Sequence, residues 1–152
     1  MADNWQSPSG GSGNQWTNIN LAYDDNEYTT YAYNMDGTGN FSLELTRAAL
    51  LCDKVRYKFG LMFASTLNAI IHVYYDADYH EIYNGVVETG VWVNKWVVPT
   101  NPGEAKTVSK AKLILSWPPS NQGRVYEMNF NQAVVQSVIP NMMKHYKNMR
   151  AA

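Results

Sequence analysis

From Trp16 to Val135 the chain is a succession of short runs, each stopped by turn residues, and none holds a helical period. Residues 41–45 (Phe-Ser-Leu-Glu-Leu) alternate apolar and polar, the period of a half-buried strand. Residues 55–59 repeat the pattern with Arg56 and Lys58 on the wet face. The mostly apolar run 69–75 closes on Asp76-Ala77-Asp78, and Glu81-Ile82-Tyr83 resumes after it, which predicts a hairpin. Residues 91–98 are rich in Val and Trp and end at Pro99; Trp92 and Trp96 share a face and read as core. Residues 110–117 stop at Pro118-Pro119, and 124–135 form the last strand region. This rhythm predicts about seven or eight strands in an all-β sandwich or barrel, without internal repeat or second domain. Composition agrees: 45% hydrophobic and 13% aromatic against 16% charged, the reverse of a disordered chain.

The two ends read differently. Ser7-Pro8-Ser9-Gly10-Gly11-Ser12-Gly13 is turn and linker chemistry, so residues 1–15 are expected to form an arm that leans on its own domain or on a neighbouring subunit. Residues 16–139 make the sandwich. Pro140 can open a helix, and Met142, Tyr146 and Met149 then recur on one face, so 140–152 is expected to be a short helical tail that needs a surface to dock on. Trp5, Met142, Tyr146 and Met149 are the candidate assembly contacts.

A net charge of −1 offers no basic excess for a phosphate backbone, so nucleic-acid binding is not expected. No stretch approaches the ~20 apolar residues of a membrane span, and the first residues lack the basic-then-apolar pattern of a secretory signal. The single cysteine, Cys52, permits no internal disulfide and reads as a small core residue. His72, His80 and His145 are not spaced as a helical metal pair. No nucleophile motif frames a serine, so no catalytic residue is expected.

The segment Ala22-Tyr23-Asp24-Asp25-Asn26-Glu27-Tyr28-Thr29-Thr30-Tyr31 resembles the early loop of galactose-binding-like, discoidin-type domains and related carbohydrate-binding modules. Ala22, Tyr23, Asp24, Asn26 and Thr29 fall on that pattern; Asp25 stands where the family has glycine, and Tyr31 where it has tryptophan. Lys54-Val55-Arg56-Tyr57, the hairpin from His72 to Tyr83, residues 110–115 and Tyr126-Glu127-Met128-Asn129-Phe130 follow in the family's order. The resemblance covers about residues 16–135 and implies a jelly-roll β-sandwich.

The loop offers hard oxygen donors: Asp24, Asn26 and Thr29, with Glu127 from the last strand to close a site for structural Ca2+. Asp and Asn also make turns by bonding their own backbone, and both readings stay open. The resembled family places its ligand among loops at one end, where Tyr31, Tyr33, Trp117, Asn121 and Arg124 are the candidates for a glycan. Trp117 has a second reading, as the cap of the core at a strand end.

Two functions are expected of such a chain. The first is a non-catalytic structural component that forms homo-oligomers or a larger particle, such as a phage capsid decoration, tail or fibre protein. It would be located in the virion or outside the cell and would also be able to bind glycans. The alternative is a stand-alone carbohydrate-binding module with a structural calcium.

Overall fold

The computed structural model describes residues 2–35 and 39–135. Nine strands form one hydrogen-bonded sheet that folds over on itself: β1 (Trp5–Gln6), β2 (Gly10–Gly13), β3 (Ala32–Asn34), β4 (Phe41–Leu61), β5 (Thr66–Tyr75), β6 (Asp78–Glu88), β7 (Trp92–Trp96), β8 (Lys106–Ser116) and β9 (Gly123–Gln132). The fold-over lies in β4. Its first half pairs with β8 from Phe41↔Leu115 to Cys52↔Lys106, and its second half pairs with β9 from Cys52↔Gln132 to Leu61↔Gly123. The ladder with β8 shifts register between Thr46 and Leu50, and the exposed Ala48-Ala49 form the corner. Sheet I is therefore β2, the first half of β4, β8, β5 and β6. Sheet II is β7, the second half of β4 and β9, with β1 and β3 on the far edge of β9. Both ends of β4 arrive where β8 passes into β9, and this is called the loop end below.

Alternation fills the space between the sheets. Leu43, Leu45, Ile71, Val73, Leu113 and Leu115 from sheet I meet Val55, Tyr57, Phe59, Val125, Met128 and Phe130 from sheet II, all fully buried. Each such side chain contributes roughly 1.5–3 kcal/mol of transfer free energy. The β5–β6 hairpin turns on Asp76 (φ 51°) and Ala77 (φ 63°), the two left-handed residues of a tight hairpin turn.

The arm is part of both sheets. Trp5 and Gln6 pair with Asn131 and Phe130 of sheet II, and residues 10–13 pair with Thr46 to Leu43 of sheet I. Of the two places expected for the arm to lean, residues 5–13 use their own domain. Gly10–Gly13 is a strand and not a linker, because a Cβ at Gly11 would stand 2.7 Å from Ile19 Cγ2 and 2.8 Å from Leu45 Cδ2. Between these pairings the arm crosses the outer face of sheet II. Asn4 N–H donates to Asn131 Oδ1 (2.7 Å), and Asn129 Nδ2 donates to Ser7 Oγ (3.3 Å). The outward-pointing Glu127, Asn129 and Asn131 are buried in consequence. Trp5, expected as an assembly contact, packs on Arg56 and Lys54 of its own domain. Met142, Tyr146, Met149 and the expected tail helix lie outside the described residues.

Candidate functional site

At the loop end the β8–β9 connection is built on Trp117. Its ring stacks on Phe41 (centroids 4.6 Å, interplanar 24°) and meets Trp16 edge-on at 6.3 Å. Only 7% of the residue is exposed. This is the packing of a core cap, although Trp117 also borders a cleft of about 360 Å3 with Thr66, Leu67, Asn68 and Pro118. Gly123 belongs to this arrangement, since a Cβ there would lie 2.4 Å from the Trp117 ring.

Over this base the connection is tied down by Asn121. Its Nδ2 donates to the carbonyls of Pro118 (3.1 Å) and Pro119 (3.3 Å), and its Oδ1 accepts from Phe63 N–H (3.0 Å). Asn121 thus clasps two loops, and it also holds Phe63 in place. That ring is 77% exposed, beside the exposed Met62. β4 stops at Leu61, and Met62 and Phe63 lie beyond its end.

Of the five ligand candidates, Tyr31, Tyr33 and Arg124 lie together, joined by Tyr126. Arg124 pairs across the ladder with Tyr33 and lies over the Tyr31 ring at 4.5 Å. Tyr31 meets Tyr33 at 6.2 Å and Tyr126 at 5.3 Å, both edge-on. Arg124 Nε donates to Gln122 Oε1 (2.7 Å), which holds the guanidinium toward the same end. Tyr126 was missed because a β-bulge between Lys58 and Phe59 on the facing ladder shifts its register, which alternation alone does not reveal.

The 24–30 loop is closed by its own hydrogen bonds. Asp24 Oδ1 accepts from Asn26 N–H (3.1 Å) and its Oδ2 from Thr30 Oγ1 (2.5 Å). Asn26 Oδ1 accepts from Tyr28 and Thr29 N–H, both at 3.1 Å, and its Nδ2 donates to Thr29 Oγ1 (2.8 Å). Asp25, in the family's glycine position, keeps the left-handed conformation glycine would supply (φ 62°), which Asp tolerates. Glu127 reaches the loop from β9: its Oε2 accepts from Asp25 N–H (3.1 Å) and its Oε1 from Asn129 Nδ2 (3.1 Å). Burial first, then the nearby Asp25 and Asp24, push its carboxyl up to about 8. So the structure joins Asp24, Asn26, Thr29 and Glu127 into one oxygen-rich corner. The donors are of the hard kind that suits calcium, but each of these side-chain oxygens already accepts a hydrogen bond. Among the described residues no group of three or more His, Cys, Asp or Glu is arranged to hold a metal.

The outer face of sheet II carries an arrangement the strand pattern did not announce. Lys54, Arg56 and Lys58 alternate along β4 and are interleaved with rings. Arg56 lies between Trp92 (3.9 Å) and Trp5 (4.4 Å), Lys54 between Trp96 (5.2 Å) and Trp5 (5.5 Å), and Lys58 over Tyr28 (4.4 Å). Trp92 and Trp96, expected in the core, stand on this face with Trp96 38% exposed. The reason is register: Trp92 and Trp96 pair with the outward Lys58 and Lys54. Cys52 is buried in the core as expected, and burial pushes its thiol up to about 12. His72 faces outward from β5 and lies 3.9 Å from Glu81, while His80 stacks on Tyr75 at 3.8 Å.

No family model and no curated protein sequence matches the chain. Solved structures do. It is similar to the family 32 carbohydrate-binding module of AlyQ in complex with 4,5-unsaturated mannuronic acid (TM-score 0.62, 12% identity, 86% of this chain and 99% of that one). It is also similar to the family 32 module of Clostridium perfringens NanJ in complex with galactose (TM-score 0.63, 12% identity, 81% and 93%). A third is chitosan-binding module 1 of a chitosanase/glucanase from Paenibacillus sp. IK-5 (TM-score 0.57, 14% identity, 85% and 92%). At these identities the likeness speaks for architecture, and with the strand order above it establishes that this chain has the galactose-binding-like, discoidin-type β-sandwich fold.

Proposed function

We propose that this chain is a non-catalytic glycan-binding module whose ligand docks at the loop end. The observation that carries the reading is Phe63, a ring 77% exposed on a loop whose backbone Asn121 fixes. An exposed ring on a tied backbone presents an apolar face to a sugar. Arg124, Tyr33 and Gln122 stand at the same end to hydrogen-bond hydroxyls. The fold supports this reading, since its similar structures named above are carbohydrate-binding modules. The assembly reading has lost one of its premises, because the arm docks on its own domain. None of the structures named above is a particle component, and no observation among the described residues favours that reading over this one. We further propose that the 24–30 corner takes up calcium through Asp24, Asn26, Thr29 and Glu127, which would relieve the crowding of carboxylates there.

Glycan-array screening followed by calorimetry tests the main reading. Wild-type protein should bind at least one class of glycan, and Phe63→Ala should weaken it about tenfold or more while leaving the melting temperature unchanged. Absence of binding to every glycan, or full affinity in Phe63→Ala, would overturn it. The calcium proposal is tested separately by melting in calcium against EDTA, where no shift on adding calcium rejects it.

A further inference from the structure

The sandwich is open along one side. Sheet I ends on β6, which pairs with β5 alone among the described residues, and sheet II ends on β7. Between these edges, toward the end opposite Phe63, lies a groove of about 780 Å3. The edge of β6 from Tyr79 to Asn84 forms one wall, and Val97 to Thr100 form the other. Ile82 and Val97 are buried there, and Val98 and Tyr83 are half-buried. Toward the loop end the β6 edge is already capped, since Tyr83 Oη donates to the Val86 carbonyl (2.7 Å). The lining holds a single carboxylate, Glu81, which faces His72 at 3.9 Å, so the groove asks for apolar surface more than for charge.

An unpaired strand edge is a template for unwanted pairing, and folded chains commonly cover one with a helix or loop. This chain has a segment of the right kind within reach. Residues 136–152 lie outside the described residues. In sequence, Met142, Tyr146 and Met149 recur at four and three residues, the apolar face of a helix too short to stand alone in water. The last strand delivers that segment beside the groove. Gln132 pairs with Cys52, and next to it Val97 N–H donates to the Asp53 carbonyl (2.8 Å). Gln132 and Val97 therefore stand two strand spacings, about 10 Å, apart. Residues 133–140 can span up to ~26 Å. Val134 and Val135 are 59% and 74% exposed, so the chain leaves β9 with apolar side chains still uncovered.

We propose that residues 140–152 fold back as a short helix over the groove of their own chain, with Met142, Tyr146 and Met149 against Val97, Val98 and Tyr83. The helix covers the open edge of β6 and closes the sandwich on that side. Thioether-to-ring contact with Tyr83 suits the methionines. The inference stands apart from the glycan-binding reading, because the groove and Phe63 lie toward opposite ends. The chain's own segment is favoured over that of a second copy because a short tether gives an effective concentration on the order of millimolar.

Trypsin digestion of the full chain, read by mass spectrometry at Lys144 and Lys147, tests the docking. Wild type is compared with two variants. Met142→Ser/Tyr146→Ser leaves every described residue as it is, and Val98→Gln alters the groove side. Cleavage should be about tenfold or more faster in both variants, since the protease cuts the undocked form. In backbone NMR spectra both variants should shift the amides of Tyr83 and Val97 and leave those of Phe63 and Asn121 in place. Equal cleavage rates in all three proteins, or shifts that miss the groove, overturn the docking. Protection that fades on dilution assigns the groove to a second copy of the chain and overturns it as well.

Discussion

The carboxyl of Glu127 makes stability depend on pH in a direction opposite to that of most carboxylates. It is held at about 8 in the folded state by burial and by Asp25 and Asp24, against an ordinary value of 4.5. Between those values the folded chain holds a proton that the unfolded chain has released, so stability falls as pH rises. The slope reaches at most about 1.4 kcal/mol per pH unit. The full window would amount to nearly 5 kcal/mol; solvent relaxation around a partly screened group brings this to about 2 kcal/mol. For a domain of this size that is roughly 4–8 °C of melting temperature. The perturbation is Glu127→Gln, which keeps the shape of the neutral acid but cannot ionise. The amide retains an acceptor for Asn129 and turns its NH2 toward Asp25 N–H, a uniform cost of about 1 kcal/mol. Melted in EDTA from pH 5 to 9, the wild type should lose stability steadily and the variant should not. The two curves should cross, with wild type ahead at pH 5 and the variant ahead at pH 9. Calcium should flatten the wild-type curve by taking the place of the proton, and should leave Glu127→Gln nearly unmoved. Parallel curves for the two proteins in EDTA would refute the assignment of the slope to Glu127.

Deleting residues 2–13 removes β1 and β2 and uncovers Glu127, Asn129 and Asn131, so it should cost on the order of 3–5 kcal/mol by urea denaturation. That is the reverse of what a loose arm predicts. Gly123→Ala forces a methyl into the Trp117 ring, which Phe41 and Trp16 hold in place, and should cost about 1–3 kcal/mol. Cys52 is fully buried with its thiol pushed up to about 12, so a disulfide reagent at pH 8 should modify it only as the protein unfolds. Modification within minutes in native buffer would contradict this.

The strand rhythm was legible because burial in a sandwich is a matter of alternation, and alternation is written locally. Residues 41–45 and 55–59 point their apolar members inward as their period predicts, while in the mostly apolar run 69–75 only Ala69, Ile71 and Val73 enter the core. The Asp76-Ala77 turn was legible for a similar reason, since turn chemistry is local. What could not be read depends on which strand lies beside which. Trp92 and Trp96 occupy one face of β7 in either reading; only pairing to Lys58 and Lys54 decides that the face is the outer one. The glycine-rich segment carries the composition of a linker, and only the approach of Ile19 and Leu45 shows why a strand there must lack side chains. Tyr31, Tyr33 and Arg124 were found together because the family resemblance supplied long-range order. Phe63 was missed because nothing local marks where β4 ends.

The arm, the oxygen-rich corner and the ring-interleaved Lys54, Arg56 and Lys58 share one face, and they depend on each other. Burying Glu127, Asn129 and Asn131 on an outer face requires a cover, and the arm from Asn4 to Ser7 is that cover. The same crossing brings Trp5 onto Arg56, whose other face rests on Trp92, so the arm also fixes β7 against β4. Arg56 Nε donates to Asn129 Oδ1 (2.9 Å), Asn129 donates to Glu127, and Glu127 accepts from Asp25. A hydrogen-bonded line thus runs from Arg56 to the 24–30 loop that carries Tyr28. Loosening the corner by raising the pH should therefore displace Tyr28 and the Lys58 ammonium that lies over its ring. Phe63, tied to Asn121 at the loop end, should be left unchanged.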